Sequence, residues 1–219
     1  MSSSIFTFLG DRIDPLNPNP DNIHIEDIAH ALSNQCRFGG HTNRFYSVAQ
    51  HSMAVAVLSK ENYMEALLHD ATEAFLVDIP RPIKHKFSEY MDVEKKLQEV
   101  IFTKYSLTYP IPAEVQALDD VVLYFEMGQL INGQEHSDLI KQEVMDEYGI
   151  PEGTLIDPLA PQLAERYFLE MFDGLLKQKW YGNFNMDELL GYFRQVLFND
   201  HYDVFSKDST VITIDDNAQ

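Results

Sequence analysis

The sequence predicts an all-α fold with one or two short strands at its periphery. Apolar residues recur at intervals of three and four positions in several segments, and clusters of proline, glycine and asparagine separate these segments. This pattern is typical of amphipathic helices that bury one face against a common core. With 219 residues, of which 45% are hydrophobic, the chain is long enough for one sizeable core and too short to need a second.

The N-terminal part combines an irregular segment with two helices. A short strand is expected over residues 5–9, before the turn-rich stretch DPLNPNPDN. The first helix begins at Ile25 and is expected to end near Gly39-Gly40. Ser47 and Gln50 have the spacing of a capping box, which predicts the start of a second helix.

The central segment, residues 63–82, reads YMEALLHDATEAFLVDIPRP and is predicted to be a helix that ends at the DIP triplet. Its apolar positions place it against a core, and His69 and Asp70 lie within that face. A buried imidazole beside a buried carboxylate is costly unless a proton, a cation or a hydrogen-bond partner compensates them. Glu73 follows one helical turn after His69, and Asp78 follows at the helix end.

The remaining elements continue the helical pattern. In chain order they are an amphipathic run over residues 93–107, a helix opened by Pro112, a polar surface helix that ends near Gly149, a core helix over residues 163–175, a shorter helix capped by Asn185 with Glu188, and a strand in the terminal VITIDDNAQ.

Charge and cysteine content exclude several kinds of partner and site. The 16 basic and 35 acidic residues give a formal net charge of −19, which argues against binding to a nucleic-acid duplex or an anionic membrane. A phosphorylated ligand would therefore need a local positive site. The single cysteine, Cys36, excludes an internal disulfide framework and a cysteine zinc cluster. Because the sequence shows neither a secretory signal nor a long uninterrupted apolar run, we expect a cytoplasmic protein.

Three predicted helices each place a ligand-type residue on an otherwise apolar face. They are His51 in the second helix, the pair His69 and Asp70 in the central segment, and Asp119 in the helix after Pro112. Unrelated core histidines would not be expected to coincide in this way. Two imidazoles and two carboxylates suit one divalent cation, such as Mn, Co, Fe, Zn or Mg, and leave coordination positions for water and substrate.

The order H…HD…D resembles that of the HD-domain metal-dependent phosphohydrolases. The segments LSNQCRFGGH, FYSVAQHS, LLHDATEAFLVDIPRPIK and LAPQLAERYFLEMF are similar to the nucleotidase-like branch found in bacteria and phages. The resemblance extends over about residues 5–176 and leaves residues 177–219 as an extension. It implies one HD-domain helical bundle over residues 1–219, with the extension packed on it, and one tightly held divalent metal.

By position, the resemblance implies four metal ligands and two catalytic carboxylates. The ligands would be His51, His69, Asp70 and Asp119. Glu73 would orient or deprotonate the attacking water, and Asp78 would assist proton transfer at the leaving oxygen. The alternative is that these two residues are ordinary carboxylates at a helix end, without a catalytic role.

Four further residues are matched to substrate binding. Arg37 matches the phosphate-contacting arginine of the family, and Lys84 would be a second cation at the phosphate, although both would also suit a solvated surface. Phe38 stands where well-known members carry a tryptophan in the sugar pocket, so their preference between ribose and deoxyribose is not transferred. His41 either reaches the phosphate or closes the loop.

The resemblance implies an enzyme that hydrolyses a phosphate bond of a nucleotide. The first hypothesis is removal of the 5′-phosphate from a (deoxy)nucleoside monophosphate. The second is a dATPase-like deoxynucleoside triphosphate triphosphohydrolase of the phage type, whose substrate would bring additional magnesium. The third, from another class, is a non-catalytic nucleotide-binding HD module. Since relatives form dimers and larger rings, we also expect a homo-oligomer.

Overall fold

The computed structural model of the protein describes residues 4–132, 142–182 and 185–199. This part of the chain is mostly helical and contains ten α-helices, which confirms the all-α prediction. The helices are α1 (Ile25–Asn34), α2 (Val48–Leu58), α3 (Tyr63–Leu67), α4 (Glu73–Leu76), α5 (Arg81–Lys84), α6 (Ser88–Lys104), α7 (Ala113–Leu130), α8 (Gln142–Glu147), α9 (Pro161–Tyr181) and α10 (Met186–Leu197).

Short strands and single helical turns complete the described chain. Two antiparallel pairs are formed by β1 (Ile5–Phe6) with β2 (Arg12–Ile13) and by β3 (Leu155–Ile156) with β4 (Phe198–Asn199). Two 3₁₀ turns cover Pro20–Asn22 and Arg37–Gly40. In the described residues, no helix is both long and apolar enough to cross a membrane.

Helix α2 lies at the centre of the core. All of its residues are buried, and it packs against α1, α3, α7, α9 and α10. A helix that is apolar on every side is stable only when neighbours surround it. The position of α2 therefore carries His51 into the interior, where the side chain has no exposed surface.

Helix α2 begins at the predicted cap. The Ser47 Oγ accepts a hydrogen bond from the Gln50 backbone N–H at 3.1 Å, which confirms this helix start. The Gln50 side chain donates to the Asp157 carbonyl at 2.7 Å and accepts from the Leu159 N–H at 2.8 Å. Both contacts connect the buried helix to the segment before α9.

Helix α1 is shorter than predicted, because it ends at Asn34 and does not reach Gly39-Gly40. The next residues turn away from the helix. Gln35 is extended, donates through Nε2 to the Glu73 carbonyl at 2.9 Å, and accepts from the Asp78 N–H at 3.3 Å. These contacts hold the chain against the central segment, so the helix prediction was wrong beyond Asn34.

The central segment is broken where a continuous helix was predicted. Helix α3 ends at Leu67, α4 begins at Glu73, and His69 and Asp70 lie in the turns between them. The His69 Nδ1–H donates to the Ala66 carbonyl at 2.7 Å. In an α-helix this carbonyl would accept from the Asp70 N–H, so the imidazole competes with the helical hydrogen bond. The prediction of unbroken helix was therefore wrong at this point.

The C-terminal elements agree with the expectations where the structure describes them. Helix α7 starts directly after Pro112, and the Asn185 side chain caps α10 by accepting from the Glu188 N–H at 3.3 Å. The described part of the 177–219 extension adds α10 to the core, where Phe193 and Leu197 are buried. The strand predicted in VITIDDNAQ lies outside the described residues, as does most of the predicted surface helix before α8.

Phe168→Ala should lower the free energy of unfolding by about 3–5 kcal/mol, because it leaves a cavity in the core. The Phe168 side chain lies on α9 and has no exposed surface. Trp180→Ala, on the same helix, is the matched control, since Trp180 is 66% exposed and its loss should cost less than about 0.5 kcal/mol. Urea unfolding of both variants measures the difference, and equal losses would contradict this core.

Candidate metal centre

Two histidines and an aspartate meet in the interior beside α2. The ligand atoms of His51, His69 and Asp70 all lie within 4.8 Å of one another, and both histidines are buried. Asp119, from α7, adds an oxygen 3.0 Å from His51 Nε2 and 3.9 Å from His69 Nε2. The structure thus brings together the four residues that the sequence predicts as ligands, and the group of His51, His69 and Asp70 could hold a metal ion.

The imidazole rings are oriented by hydrogen bonds on their far sides. His69 Nδ1 is engaged by the Ala66 carbonyl, and His51 Nδ1 lies 2.8 Å from Glu126 Oε1. Each ring therefore turns its Nε2 towards the carboxylates. Carbonyl and carboxylate partners of this kind fix the tautomer and orientation of metal-binding histidines.

The donor set fits a divalent metal ion. His69 Nε2 is buried and makes no hydrogen bond of good geometry, although Asp70 Oδ2 lies 3.2 Å away. A buried nitrogen without a partner is costly, and a cation between it and the neighbouring oxygens would remove that cost. Nitrogen and oxygen donors together suit a borderline or hard divalent ion.

Glu126 is a component of the site that the sequence analysis did not assign. It is fully buried on α7 and accepts a hydrogen bond from the Tyr46 hydroxyl at 2.7 Å. Its second oxygen lies 3.0 Å from Arg37 Nε. Burial disfavours the carboxylate, but Arg37 and His51 outweigh it and lower the pKa of Glu126. The signal in the sequence was a glutamate on the apolar stripe of the predicted helix.

The carboxylates raise the pKa of both histidines. Burial and Arg37 act against the charged form of His51, but Glu126 and Asp119 outweigh them and raise its pKa to about 9. Burial likewise opposes protonation of His69, and Asp70 outweighs it, so this pKa is also raised. Protons therefore compete with any metal ion for the two ring nitrogens.

Arg37 lies beside two carboxylates of the candidate metal centre, Asp70 and Glu126. Its side chain is buried, and Nη1 is 3.6 Å from Asp70 Oδ2. Phe38 stands beside it, with the Arg37 Cζ 5.4 Å from the ring centre, and has a φ of 55°, which is unusual for a residue other than glycine. His41 is exposed. In the described part of the chain, none of these three residues lines the cavity of about 360 Å³ that borders His69, Asp70 and Asp119.

A cavity of about 360 Å³ opens beside the candidate metal ligands. Its wall includes His69, Asp70, Asp119 and Lys84, and the Lys84 Nζ lies 2.5 Å from Glu94 Oε1 in the same wall. The other side chains of the wall include Thr72, Lys95, Gln98, Tyr109, Ile111, Val115 and Gln116. The cavity therefore joins part of the candidate metal centre to a wall of mixed charged, polar and apolar side chains.

Arg81 is a second residue that the sequence analysis did not assign. It lies on α5, and its Nη2 donates to Asp119 Oδ2 at 2.6 Å while its Nη1 bonds to Asp120. One oxygen of Asp119 is thus held by Arg81, and the other faces the histidines. The proline-flanked arginine in the DIPRP stretch was visible in the sequence, but its partner was not.

The two predicted catalytic carboxylates lie in surroundings that favour their protonated forms. Glu73 is buried, and its Oε2 makes no hydrogen bond. Burial, together with Asp70 and Asp78, raises the pKa of Glu73 well above its ordinary value. Burial also raises the pKa of Asp78, which is half-buried. Glu73 and Asp78 can therefore exchange protons at a higher pH than ordinary carboxyl groups.

Glu126→Gln should weaken the binding of a divalent metal about 10- to 100-fold, because the His51 ring loses the carboxylate that orients it. Isothermal titration with Mn²⁺ measures the affinity. Glu61→Gln is the control, since Glu61 is exposed on another part of the chain. Equal affinities of the two variants would contradict the role of Glu126.

Metal affinity should rise with pH until the pH reaches about 9, the pKa of His51. A protonated imidazole has no free electron pair on its nitrogens, so it must lose a proton before it can bind a metal. For each proton that must be released, metal affinity should fall by up to about tenfold per pH unit below that pKa. Titrations near pH 6, 7 and 8, in buffers of different ionisation enthalpy, measure the affinity and the protons released. Binding without proton release would contradict the prediction.

Comparison with known proteins places the chain in a family. No family model matches the sequence. The chain is 39% identical over 176 residues to YfdR, an uncharacterized protein of Escherichia coli K12, and the match covers 79% of this chain and 96% of YfdR. It is 33% identical over 169 residues to an uncharacterized protein of Rhodobacter capsulatus, with 70% of this chain and 83% of that protein covered. The chain therefore belongs to the same family as YfdR.

Proposed function

We propose that the protein is a metal-dependent phosphohydrolase of nucleotides, of the HD-domain type, that removes the 5′-phosphate of (deoxy)nucleoside monophosphates. The observation that carries this proposal is the meeting of His51, His69, Asp70 and Asp119, the last three of which line a cavity of about 360 Å³. A binding module would need the cavity, but it would not need a buried carboxylate of raised pKa such as Glu73 beside the ligands.

The metal ion would be held by His51, His69, Asp70 and Asp119. When bound, a divalent cation there supplies a Lewis acid that lowers the pKa of water and stabilises negative charge on a phosphate. Arg81 holds Oδ2 of Asp119 and so keeps the other oxygen, Oδ1, directed at the histidines. The ion would be Mn, Co, Fe, Zn or Mg, since the mixed nitrogen and oxygen donors suit each of them.

Glu73 and Asp78 would move the protons of the reaction. Because the pKa of Glu73 is raised, its carboxylate is a stronger base than that of an ordinary glutamate. It can therefore accept a proton from the attacking water and hold it at a pH nearer to neutral. The pKa of Asp78 is raised as well, so this residue can donate a proton to the leaving oxygen. A carboxylate that accepts a proton from water and a carboxyl group that donates one to the leaving oxygen are the two proton transfers that hydrolysis needs.

The cavity offers both a cation and apolar side chains to a nucleotide. Lys84 can meet a phosphate once the phosphate competes with Glu94 for its ammonium group. Tyr109, Ile111 and Val115 form an apolar wall for a nucleoside. Arg37 would act from behind Asp70, since it is buried against Glu126, so a direct contact with phosphate is not its role in this proposal.

A second candidate function is the triphosphohydrolase reaction on a deoxynucleoside triphosphate. It is favoured by Lys95, which lines the same cavity as Lys84. Two ammonium groups suit a chain of phosphates better than a single one, and additional magnesium could accompany such a substrate. The homo-oligomer expected from the resemblance stays a prediction, as do the single domain and the cytoplasmic location.

Turnover of a nucleotide panel, with and without each divalent ion, tests the proposal. Glu73→Gln should lower kcat about 10²- to 10⁴-fold, because proton transfer is lost, while Mn²⁺ affinity stays within about twofold. Glu89→Gln is the control, since Glu89 is exposed on α6. Release of inorganic phosphate from monophosphates supports the first function, and release of tripolyphosphate supports the second.

The same experiment separates the enzyme from a binding module. If the metal-loaded protein bound nucleotides, hydrolysed none of them, and Glu73→Gln and Asp78→Ala bound them equally well, the non-catalytic HD module would replace both enzymatic proposals.

A further inference from the structure

We infer that Arg81 binds the phosphate group of the nucleotide, in the role that the sequence analysis gave to Arg37. Because this phosphate is the one to be hydrolysed at the candidate metal centre, the role rests on the proposed function. Arg81 would thus contact the ligand with one nitrogen while another keeps its hydrogen bond to Asp119.

Arg37 is not free to meet a phosphate. Its side chain is buried, and its Nε lies 3.0 Å from Oε2 of the buried Glu126. An arginine that left this carboxylate would strand an unpaired charge in the interior, which is strongly destabilising. In the described part of the chain, Arg37 also does not line the cavity. A guanidinium for the phosphate therefore has to come from another residue.

Arg81 lies beside the part of the candidate metal centre that borders the cavity. Its Nη2 donates to Asp119 Oδ2 at 2.6 Å, and Asp119 belongs to the cavity wall. Lys84, three residues later in α5, belongs to the same wall. Residues three apart in a helical turn share a face, so Arg81 and Lys84 lie on the same side of α5. The guanidinium is thus adjacent to the wall, although Arg81 is not among the described residues that form it.

The Arg81 guanidinium can take a further partner without losing Asp119. No residue of α5 is buried, and the Arg81 side chain is 49% exposed. Within the described part of the chain, two of its five N–H groups are bonded, one to Asp119 and one to Asp120. The fork of an arginine presents its nitrogens in fixed directions, so it can bridge two anions at once.

Asp120 is the partner that a phosphate would replace. Its side chain is 55% exposed, whereas that of Asp119 is 20% exposed. Ion pairs between exposed groups contribute little, because water screens them. A phosphate forms shorter and stronger charge-assisted hydrogen bonds with a guanidinium. We therefore expect phosphate to displace Asp120 from Nη1 and to leave the contact between Nη2 and Asp119 in place.

Titration of the Mn²⁺-saturated protein with inorganic phosphate measures this contact without turnover. Arg81→Gln should weaken phosphate binding about ten- to a hundredfold, because a charge-assisted pair is lost. Arg44→Gln is the matched control, since it removes the same charge from an exposed arginine that lines a different cavity. Its phosphate affinity should equal that of the unchanged protein.

Asp120→Asn separates phosphate binding from a role in orienting Asp119 alone. It should tighten phosphate binding about two- to fivefold, because the competitor for Nη1 is lost, and it should have no effect in the Arg81→Gln background. Its Mn²⁺ affinity should stay within about twofold. If Arg81 only oriented Asp119, Arg81→Gln would change Mn²⁺ affinity alone, and Asp120→Asn would leave phosphate binding unchanged.

The outcomes distinguish the role of Arg81 from the proposed function. Equal phosphate affinities of Arg81→Gln and Arg44→Gln would overturn the role and leave the proposed function standing. A loss specific to Arg81→Gln in a protein that hydrolyses no nucleotide would support the role and overturn the function. A metal-loaded protein that binds no phosphate would overturn both. If Arg81→Gln cannot be saturated with Mn²⁺, Asp120→Asn decides: tighter phosphate binding supports the role, and unchanged binding overturns it.

Discussion

The contacts of the buried Glu126 carboxylate are the interactions on which the candidate site depends. The carboxylate is charged and without exposed surface, so its oxygens need donors from the protein itself. The Tyr46 hydroxyl and the His51 ring both meet Oε1, and the Arg37 guanidinium forms an ion pair with Oε2. The same negative charge thus orients the His51 ring, whose Nε2 lies beside Asp119, and joins α2, α7 and the Arg37–Gly40 turn. Oε2 itself makes no hydrogen bond of good geometry, so the ion pair with Arg37 is what compensates its charge.

The periodicity of the sequence predicted the helices that hold this network. Helices α2, α7 and α9 were visible because their apolar faces repeat over several turns, and Ser47 marked a true helix start. The break before α4 was not visible, because it coincides with a side-chain hydrogen bond from His69 to Ala66 that leaves the apolar spacing unchanged. Gln35 had a similar effect on the end of α1. Sequence periodicity averages over many residues and cannot register one such contact.

The candidate site was predictable to the extent that it follows from helix faces. His51 and Asp119 lie together because α2 and α7 pack against each other and each residue lies on the contacting side of its helix. The partners of the basic side chains were not predictable, since these ion pairs depend on distances between segments that are remote in sequence. Arg81 meets Asp119 and Lys84 meets Glu94. In this acidic protein Arg81 and Lys84 are therefore already paired with carboxylates, and an anionic ligand would have to compete for them.

The backbone at Val77 links folding stability to the site in a different way. Its φ of 60° and ψ of 155° fall in a region that essentially only glycine adopts, yet the residue is a branched valine. Such a conformation stores about 1–3 kcal/mol, which the surrounding contacts must outweigh. The Tyr90 hydroxyl donates to the Val77 carbonyl at 2.9 Å and helps to hold it. Since Asp78 is the next residue, a proposed proton donor directly follows a strained backbone position, and selection for heat resistance alone would be expected to remove that strain.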